Sequence, residues 1–328
     1  MVVKILFRKS IVFSTRIVTV CHSSAIFAPV MKETRKIWHW VVLAALSLIW
    51  GTSYILMKEG LKSFSPMQVG SLRIVITFIC LLPVIIHNFH RLNRGNIFSI
   101  IIIGFLGSGI PAFLFPMAET KISSSLAGML NSLTPVFTLV IGILVYKRKS
   151  IKSQIAGVFL GLAGAAGLLY TGSFSFSAGG LLVVLATLLS GFSSNEVSKV
   201  NGMNGLQITS LSFMVISPFA IIYLLSSNLP AAAETDHWVR NLGCITILAV
   251  MGSATANAMY YLLIRDTSPI FASTVTYFIP IVATMWGIAD NEHFTTSMIG
   301  SIIIIFIGVY IINRPNFFKR KEGKVSDE

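Results

Sequence analysis

The chain has 328 residues, of which 54% are hydrophobic and only 11% are charged, and its mean hydropathy is +0.80. A soluble domain of this length needs far more charge to cover its surface, so the composition excludes a soluble globular protein and indicates one embedded in lipid. The 25 Lys and Arg residues against 12 Asp and Glu give a net charge of +13. They lie in short segments between apolar runs, which favours contact with anionic lipid headgroups and disfavours nucleic acid as a partner.

Residues 1–36 form a basic N-terminal extension ahead of the first long apolar run. Residues 1–30 contain no Asp or Glu, and Arg16 and His22 interrupt the stretches that could serve as the apolar region of a signal peptide. We expect a disordered basic extension or, alternatively, that Met31 is the true first residue.

Ten apolar segments follow, each close to the length of about 20 residues that a helix needs to cross a bilayer. Lipid offers no hydrogen-bond partner to an unpaired backbone group, so each segment is predicted to be a helix. The predicted spans are residues 37–58, 66–87, 97–117, 122–146, 153–170, 177–198, 206–226, 241–264, 268–289 and 294–313.

Loop charge predicts the orientation of these spans. If the N-terminus is cytoplasmic, the inside segments carry sixteen Lys and Arg residues from Met31 onward, and the outside loops carry four. Under the positive-inside rule, this asymmetry places both termini in the cytoplasm, including the basic tail 314–328.

The sequence also contains an internal repeat. Ala127 and Pro135 recur 145 positions later as Ala272 and Pro280, and each proline-containing segment is followed by a polar loop and a glycine-punctuated helix. In the fifth segment Gly157, Gly161 and Gly164 form a small-residue face, which predicts close packing, for example against the tenth segment.

The repeat divides the chain into two five-helix units, residues 37–170 and 177–313, joined by the linker 171–176. Because five is odd, the second unit enters the membrane from the opposite side, and inverted units of this kind recur in secondary carriers. The predicted fold class is therefore an all-α membrane protein of ten transmembrane helices, arranged as two inverted five-helix repeats with both termini cytoplasmic.

The loop charges agree with an inverted arrangement. The loop after the fourth segment is basic, with Lys147, Arg148 and Lys149, whereas its counterpart after the ninth is acidic, with Asp290 and Glu292. The same loop is thus predicted to face opposite compartments.

The order and spacing of these features resemble the drug/metabolite transporter superfamily, specifically its ten-helix EamA-type members. The matching stretches are WGTSY at 50–54, Pro66 through Arg73, the segments 113–137 and 257–287, and Glu292 to Gly308. The resemblance covers about 37–313 and implies a basket of helices around a central cavity that transports small organic metabolites, often outward. It also implies a Glu after the fourth helix, where this chain has Lys147, so a symmetric pair of loop carboxylates is not expected.

Polar side chains within lipid-spanning helices are costly unless they face protein or water, so a convergent set of them is the candidate transport path. Pro135 and Pro280 are predicted to kink their helices because proline removes a backbone donor. The substrate-cavity candidates are Trp50, Thr52, Ser53, Tyr54, Asn131, Pro135, Ser190, Ser194, Asn257, Tyr261, Thr276, Tyr277 and Pro280.

Arg73 is the one charge well inside a predicted span, and we interpret it as a structural anchor, with an anionic substrate group as the alternative partner. No Asp or Glu is central in a span, so a neutral or zwitterionic solute is favoured over a cation. Any proton coupling would then use an acid at a helix boundary, such as Glu119 or Glu196.

The predicted function is that of a secondary transporter that exports a small organic metabolite by alternating access. An uptake permease of the same fold, a channel and a scaffold subunit remain alternatives. An intramembrane enzyme is disfavoured, because the sequence has no HExxH, no intramembrane Asp pair and no central Ser/His pair. No cofactor or metal is predicted, and the three cysteines are interpreted as packing residues. The expected partners are a small-molecule substrate and the bilayer of the inner membrane; one chain contains both halves, so a homodimer is not required.

Overall fold

The computed structural model describes residues 24–148, 152–169, 177–229, 234–292 and 296–313, and the secondary structure in these ranges is helical throughout. The described part of the chain divides into two compact units between Val42 and Leu43. The basic segments 1–23 and 314–328 and the linker 171–176 lie outside the described residues.

The first helix begins at Ser24, inside the basic extension 1–36, so residues 24–30 of the segment expected to be disordered are helical. Met31, Lys32, Glu33 and Arg35 are strong helix formers, and they continue the helix backward from the apolar span. In chain order the helices are α1 (Ser24–Gly60), α2 (Pro66–Asn88), α3 (Ile97–Glu119), α4 (Ser124–Leu144), α5 (Lys152–Leu169), α6 (Ala178–Val197), α7 (Gly205–Ser226), α8 (Trp238–Asp266), α9 (Pro269–Ala289) and α10 (Thr296–Asn313).

Eight of these helices are long and apolar enough to cross a membrane, as counted over the described residues. Helices α5 and α10 contain shorter apolar stretches, Gln154–Gly167 and Thr296–Gly308. The prediction of an all-α membrane protein is therefore confirmed. Helix α4 is the most enclosed of the eight, because 78% of its apolar stretch is buried inside the protein, compared with 56% or less in the others.

Helices α3 and α8 each contain a π-helical segment near the middle. The segments are Ile103–Gly109 and Leu248–Thr255, and they begin 145 positions apart. In α3 the widened turn precedes Pro111, which has no N–H to donate to the preceding turn. A π-helical turn redirects the side chains around it and is frequent at functional sites.

Helices α4 and α9 are interrupted at equivalent positions. The regular pieces that follow the interruptions are Thr134–Leu144 and Ile279–Ala289, which also begin 145 positions apart. Pro135 and Pro280 lie in the first turn of these pieces, where a missing N–H costs least. Both prolines thus lie where their helices are interrupted and begin again.

Helices α2 and α7 begin with the same type of capping box. Ser65 and Gln68 bond each other's backbone N–H groups at the start of α2, and Asn204 and Gln207 do so at the start of α7. Each box satisfies two donors that would otherwise be unpaired at a helix end. The two halves thus share their cap chemistry as well as their helix interruptions.

Helices α5 and α10 pack with their backbones in contact. A Cβ added to Gly164 would lie 2.7 Å from the carbonyl oxygen of Ser301, and one added to Gly308 would lie 2.6 Å from the carbonyl oxygen of Gly157. No side chain fits at such distances, so the predicted small-residue face of α5 does pack against α10.

Candidate functional site

A cavity of about 110 Å³ lies among helices α1, α2, α3, α4, α6, α7, α8 and α9. This volume holds several water molecules, and hydroxyl, amide and aromatic groups supply the hydrogen-bonding partners that such water needs. Both π-helical segments and both interrupted helices contribute to its wall, so the irregular backbone is concentrated where the cavity lies.

The cavity brings together most of the residues that the sequence singled out. Those that line it are Trp50, Ser53, Tyr54, Arg73, Asn131, Ser190, Ser194, Asn257, Tyr261 and Thr276. They come from both halves of the chain, which supports the expectation that the transport path lies between the halves.

Arg73 is the charged residue in this lining. Its Nε donates to Ser253 Oγ at 2.6 Å, which fixes the guanidinium between α2 and the π-helical segment of α8. No carboxylate of the described residues lies within ion-pair distance of Arg73. A guanidinium presents five donors in a planar fork, so its remaining donors match a carboxylate or phosphate group of a ligand.

Aromatic rings form one wall of the cavity. The ring of Trp50 meets the ring of Tyr260 edge to face at 5.1 Å, and its Nε1 donates to the carbonyl of Gly252 at 2.9 Å. The hydroxyl of Tyr260 is 2.9 Å from Ser194 Oγ, and its ring is 6.0 Å from that of Tyr261. Rings held in this way present π-faces that attract an ammonium or sulfonium group.

Two asparagines complete the polar lining. The Asn131 side chain interacts with the hydroxyl of Tyr54, and Asn257 Nδ2 donates to Ser108 Oγ at 3.1 Å. Asn131 lies at the interruption of α4, immediately before the piece that contains Pro135. The side-chain amide of Asn131 therefore lines the cavity at the point where α4 is interrupted.

The other predicted residues lie outside the cavity lining. Thr52 accepts a hydrogen bond from Trp286 Nε1 at 3.1 Å on the periphery of the protein. Pro135 and Pro280 are buried at the helix interruptions, and Tyr277 lies in the 3-10 turn of α9. Glu119 is the last residue of α3, and Glu196 lies one residue before the end of α6.

Glu292 forms an ionic clamp with the start of α4. One carboxylate oxygen accepts from the backbone N–H and the hydroxyl of Ser124 at 3.0 and 2.7 Å, and the other accepts from the same two groups of Ser125. Lys58 Nζ donates to Glu292 at 2.9 Å and also pairs with Asp290. The Glu292 side chain is only 5% exposed. We call these five residues the Glu292 clamp.

The clamp is electrostatically strong because the carboxylate lies at the positive end of a helix. Burial alone would raise the pKa of Glu292, but the hydrogen bonds from Ser125, Ser124 and Lys58 outweigh it and lower the pKa to about 2. Glu292 is therefore ionised throughout the physiological range, and the clamp joins the loop after α9 to α4 and α1.

A second carboxylate, Glu196, has its own set of donors. It accepts from Ser99 Oγ at 2.6 Å and from the Tyr146 hydroxyl, and Lys199 Nζ lies 3.2 Å away. Burial raises the pKa of the Tyr146 hydroxyl and the hydrogen bond to Glu196 raises it further, so Tyr146 remains a donor at neutral pH. These four residues are called the Glu196 cluster below.

Several cavity residues were missed in the sequence because they are apolar or ordinary hydroxyl residues. These residues form equivalent pairs at the 145-residue offset: Ser253 corresponds to Ser108, and Tyr260 corresponds to Phe115. Neither member of either pair was among the candidates, so the offset alone could not have found them. The same offset relates Asn131 to Thr276, so equivalent positions of the two halves line the cavity.

Comparison with known proteins agrees with this arrangement. The sequence model of the EamA-like transporter family matches residues 37–170 and again residues 177–314. A solved crystal structure that is 14% identical in sequence covers 83% of this chain and 94% of its own, with a TM-score of 0.56, and so shares the fold.

Named relatives are similar over most of their length. An uncharacterized inner membrane transporter, YedA of Escherichia coli K12, is 26% identical over 75% of this chain and 80% of its own. An uncharacterized transporter of Archaeoglobus fulgidus is 23% identical over 84% of this chain and 98% of its own. An S-adenosylmethionine/S-adenosylhomocysteine transporter of Chlamydia trachomatis is 24% identical over 83% of this chain and 88% of its own. With the family matched over both halves, the chain belongs to the EamA-like transporter family and is a multi-pass transporter of the inner membrane.

Proposed function

We propose that this transporter carries a zwitterionic small organic solute by alternating access between two inverted five-helix halves, residues 37–170 and 177–313. The double match of the family sequence model supports two equivalent halves. The shared offset of the π-helical segments and of the proline interruptions supports the same assignment. Halves with five spans each have opposite orientations and place both termini in the cytoplasm.

The observation that carries the substrate class is Arg73 in the cavity without a carboxylate partner among the described residues. A guanidinium that has left water needs an anionic or polar partner, and a substrate carboxylate supplies one. The rings of Trp50 and Tyr260 offer a surface for the cationic group of the same solute. A purely cationic solute would be repelled by Arg73, and the lining has no acid to compensate it.

The relative from Chlamydia trachomatis is named for substrates that belong to this zwitterionic class. S-adenosylmethionine and S-adenosylhomocysteine both carry an α-amino acid group, with one carboxylate and one ammonium. We propose that an amino acid group of this kind is the feature that the cavity recognises, with the carboxylate at Arg73 and the ammonium at the aromatic wall.

In the proposed cycle the Glu292 clamp and the Glu196 cluster are the two gates. Each joins helix ends from separate parts of the chain through a buried carboxylate. Both sets of contacts are formed in the described conformation, which we assign to a state with both gates closed. We propose export as the direction of net transport; uptake is the alternative, since alternating access is reversible.

The test begins with a comparison of metabolites outside cells that contain or lack the protein. Compounds with an amino acid group that change are then measured by counterflow in proteoliposomes. Saturable flux that Arg73→Gln lowers about tenfold or more, and that Arg73→Lys partly retains, is expected from the loss of a charged hydrogen bond. Unsaturable flux would favour a channel, and transport of a permanent cation would contradict the substrate class. Everted vesicles distinguish export from uptake.

A further inference from the structure

Glu119 is a buried carboxylate that neither the cavity nor the clamp uses. Both of its carboxylate oxygens are inaccessible to solvent, and neither has a hydrogen-bond partner. The other two buried acids have several hydrogen-bond donors each. Glu292 accepts from Ser124, Ser125 and Lys58. Glu196 accepts from Ser99, Tyr146 and Lys199. Glu119 thus differs from both in having no donor.

An ionised carboxylate is unstable in such surroundings. Removing the charge from water without supplying donors costs several kcal/mol, and a carboxyl group in that position binds a proton instead. As a neutral acid, Glu119 needs no donor to satisfy a charge. These surroundings therefore favour the protonated form of this residue.

The fold does not require an acid at this position. The residue 145 positions later, in the equivalent turn of α8, is Ile264, and it is 2% exposed. An apolar side chain therefore fills the same position in the other half. The carboxyl group of Glu119 is an addition to the first half, which indicates that its chemistry, rather than its packing, is what it contributes.

Glu119 lies between the cavity and the Glu292 clamp. It is one helical turn beyond Phe115, a cavity residue on the same face of α3. The charges that act on it through space are those of Glu292, Lys58 and Arg73. Two members of the clamp and one cavity residue thus act electrostatically on a single carboxyl group.

The groups that surround Glu119 come from several elements. Tyr54 of α1 interacts with it through space, and Arg73 is the charged group of α2 that faces it. Lys121, two residues further along, is exposed. The loop after α9 contributes Glu292, and the end of α1 contributes Lys58.

We propose that Glu119 is a proton-binding site that couples the charge at the cavity to the Glu292 clamp. When Glu119 is protonated, it does not compete for the two cations. Lys58 then pairs with Glu292, and Arg73 can bind the anionic group of a substrate. When the clamp opens, water reaches the carboxyl group and accepts its proton. The negative charge formed on Glu119 then attracts Lys58 and Arg73 and repels Glu292, which favours the open clamp. One proton is bound and released at Glu119 in each cycle.

The proton itself can be observed without knowing the substrate. Infrared difference spectra of the whole protein in lipid, recorded between acidic and alkaline pH, are expected to show the carbonyl stretch of a buried protonated carboxyl group. This band should be missing in Glu119→Gln and present in Glu234→Gln, which removes an exposed acid of the loop before α8. If the Gln variant fails to fold, Glu119→Ile, which copies Ile264, replaces it. A band that persists in both Glu119 variants, or that wild type lacks, overturns the proposal.

The link to the clamp is tested by a distance. The background for labelling is a variant in which Ser replaces Cys21, Cys80 and Cys244. Spin labels are attached at Lys121→Cys and Ile288→Cys, which are exposed positions near the clamp. The label distance is expected to lengthen as the pH rises in wild type and to stay short in Glu119→Gln. A Gln variant that follows the wild-type pH dependence would overturn the coupling. Both readouts are independent of transport, so their failure would leave the substrate proposal standing.

Discussion

The turns that follow α4 and α9 are built alike, although the turn after α4 is one residue longer. Each passes through a residue in the left-handed region, Lys147 with φ of 51° and Asn291 with φ of 56°. The N–H of the next residue then bonds back into the helix, from Arg148 to Gly142 at 2.9 Å and from Glu292 to Gly287 at 2.8 Å. Gly142 and Gly287 are themselves 145 positions apart. The structure therefore makes Arg148, not Lys147, the counterpart of Glu292 in this turn.

The side chains of the two turns differ in charge and in burial. Glu292 is buried in the clamp, whereas Arg148 donates to Ser198 Oγ at 2.8 Å near the surface. The carboxylate that Tyr146 bonds, two residues before Arg148, is Glu196, which comes from α6 and not from the turn. The comparison teaches that the two halves kept similar turns while the charges at these turns diverged, so the two proposed gates are held by different donors.

The largest expected effect comes from breaking the stronger gate. Glu292→Gln removes the charge that five donor contacts satisfy, and we expect the free energy of unfolding to fall by about 2–3 kcal/mol because hydrogen bonds to a charged group are lost. Thermal unfolding in detergent measures this. Asp290→Asn is the matched control, since it also removes an acid from Lys58, but the pair is about one third exposed and its loss should cost less than about 1 kcal/mol. Equal losses in the two variants would mean that the clamp has no special strength.

A second prediction concerns the backbone that the halves share. In Gly308→Ala the new methyl group would lie 2.6 Å from a carbonyl oxygen of α5, so we expect the variant to be about 1–3 kcal/mol less stable. Gly300→Ala is on the same helix, where an added Cβ meets nothing within 4 Å, and it should be neutral or more stable by about 0.5–1 kcal/mol. If both variants have the same free energy of unfolding, Gly308 is not needed for the close contact between α5 and α10.

The weaker gate is tested by a smaller change. Tyr146→Phe removes the hydroxyl that donates to Glu196, while Ser99 and Lys199 still bind the carboxylate. We expect a loss of about 1 kcal/mol in thermal unfolding measurements. Phe192→Leu, which alters the ring that packs against Tyr146 but no donor, serves as the control. A loss as large as that of Glu292→Gln would remove the difference between the gates.

The smallest effect is in the pH dependence. The pKa of Glu292 is lowered from 4.5 to about 2, so the stability it contributes is present above its ordinary pKa and is lost as the pH falls toward 2. The difference in melting temperature between wild type and Glu292→Gln should therefore be constant from pH 8 to about pH 5 and shrink only at lower pH. A difference that already shrinks near pH 6 would show that Glu292 titrates in the physiological range.

The sequence predicted much of the fold and part of the site. The prolines mark the interruptions of α4 and α9. Polar residues such as Asn131 and Asn257, which the sequence singled out, line one cavity in the structure. Thr52 met the same criterion and points instead to Trp286, because the side of a helix that faces the cavity depends on its rotation against its neighbours. Tyr260 was passed over in favour of Tyr261, although both line the cavity, since the π-helical segment before them changes the turn geometry.

By itself, the sequence determined that this protein is helical and embedded in lipid, because apolar runs of membrane length must satisfy their backbone groups internally. It also determined where the helices break and that the pattern repeats, because proline and glycine act locally. Only the tertiary structure decided which carboxylates have hydrogen-bond donors. Glu292 accepts from Ser124 and Glu196 accepts from Ser99, whereas the carboxylate oxygens of Glu119 have no donor. These contacts join residues far apart in the chain, so their presence or absence depends on how the helices pack and leaves no mark on the local sequence.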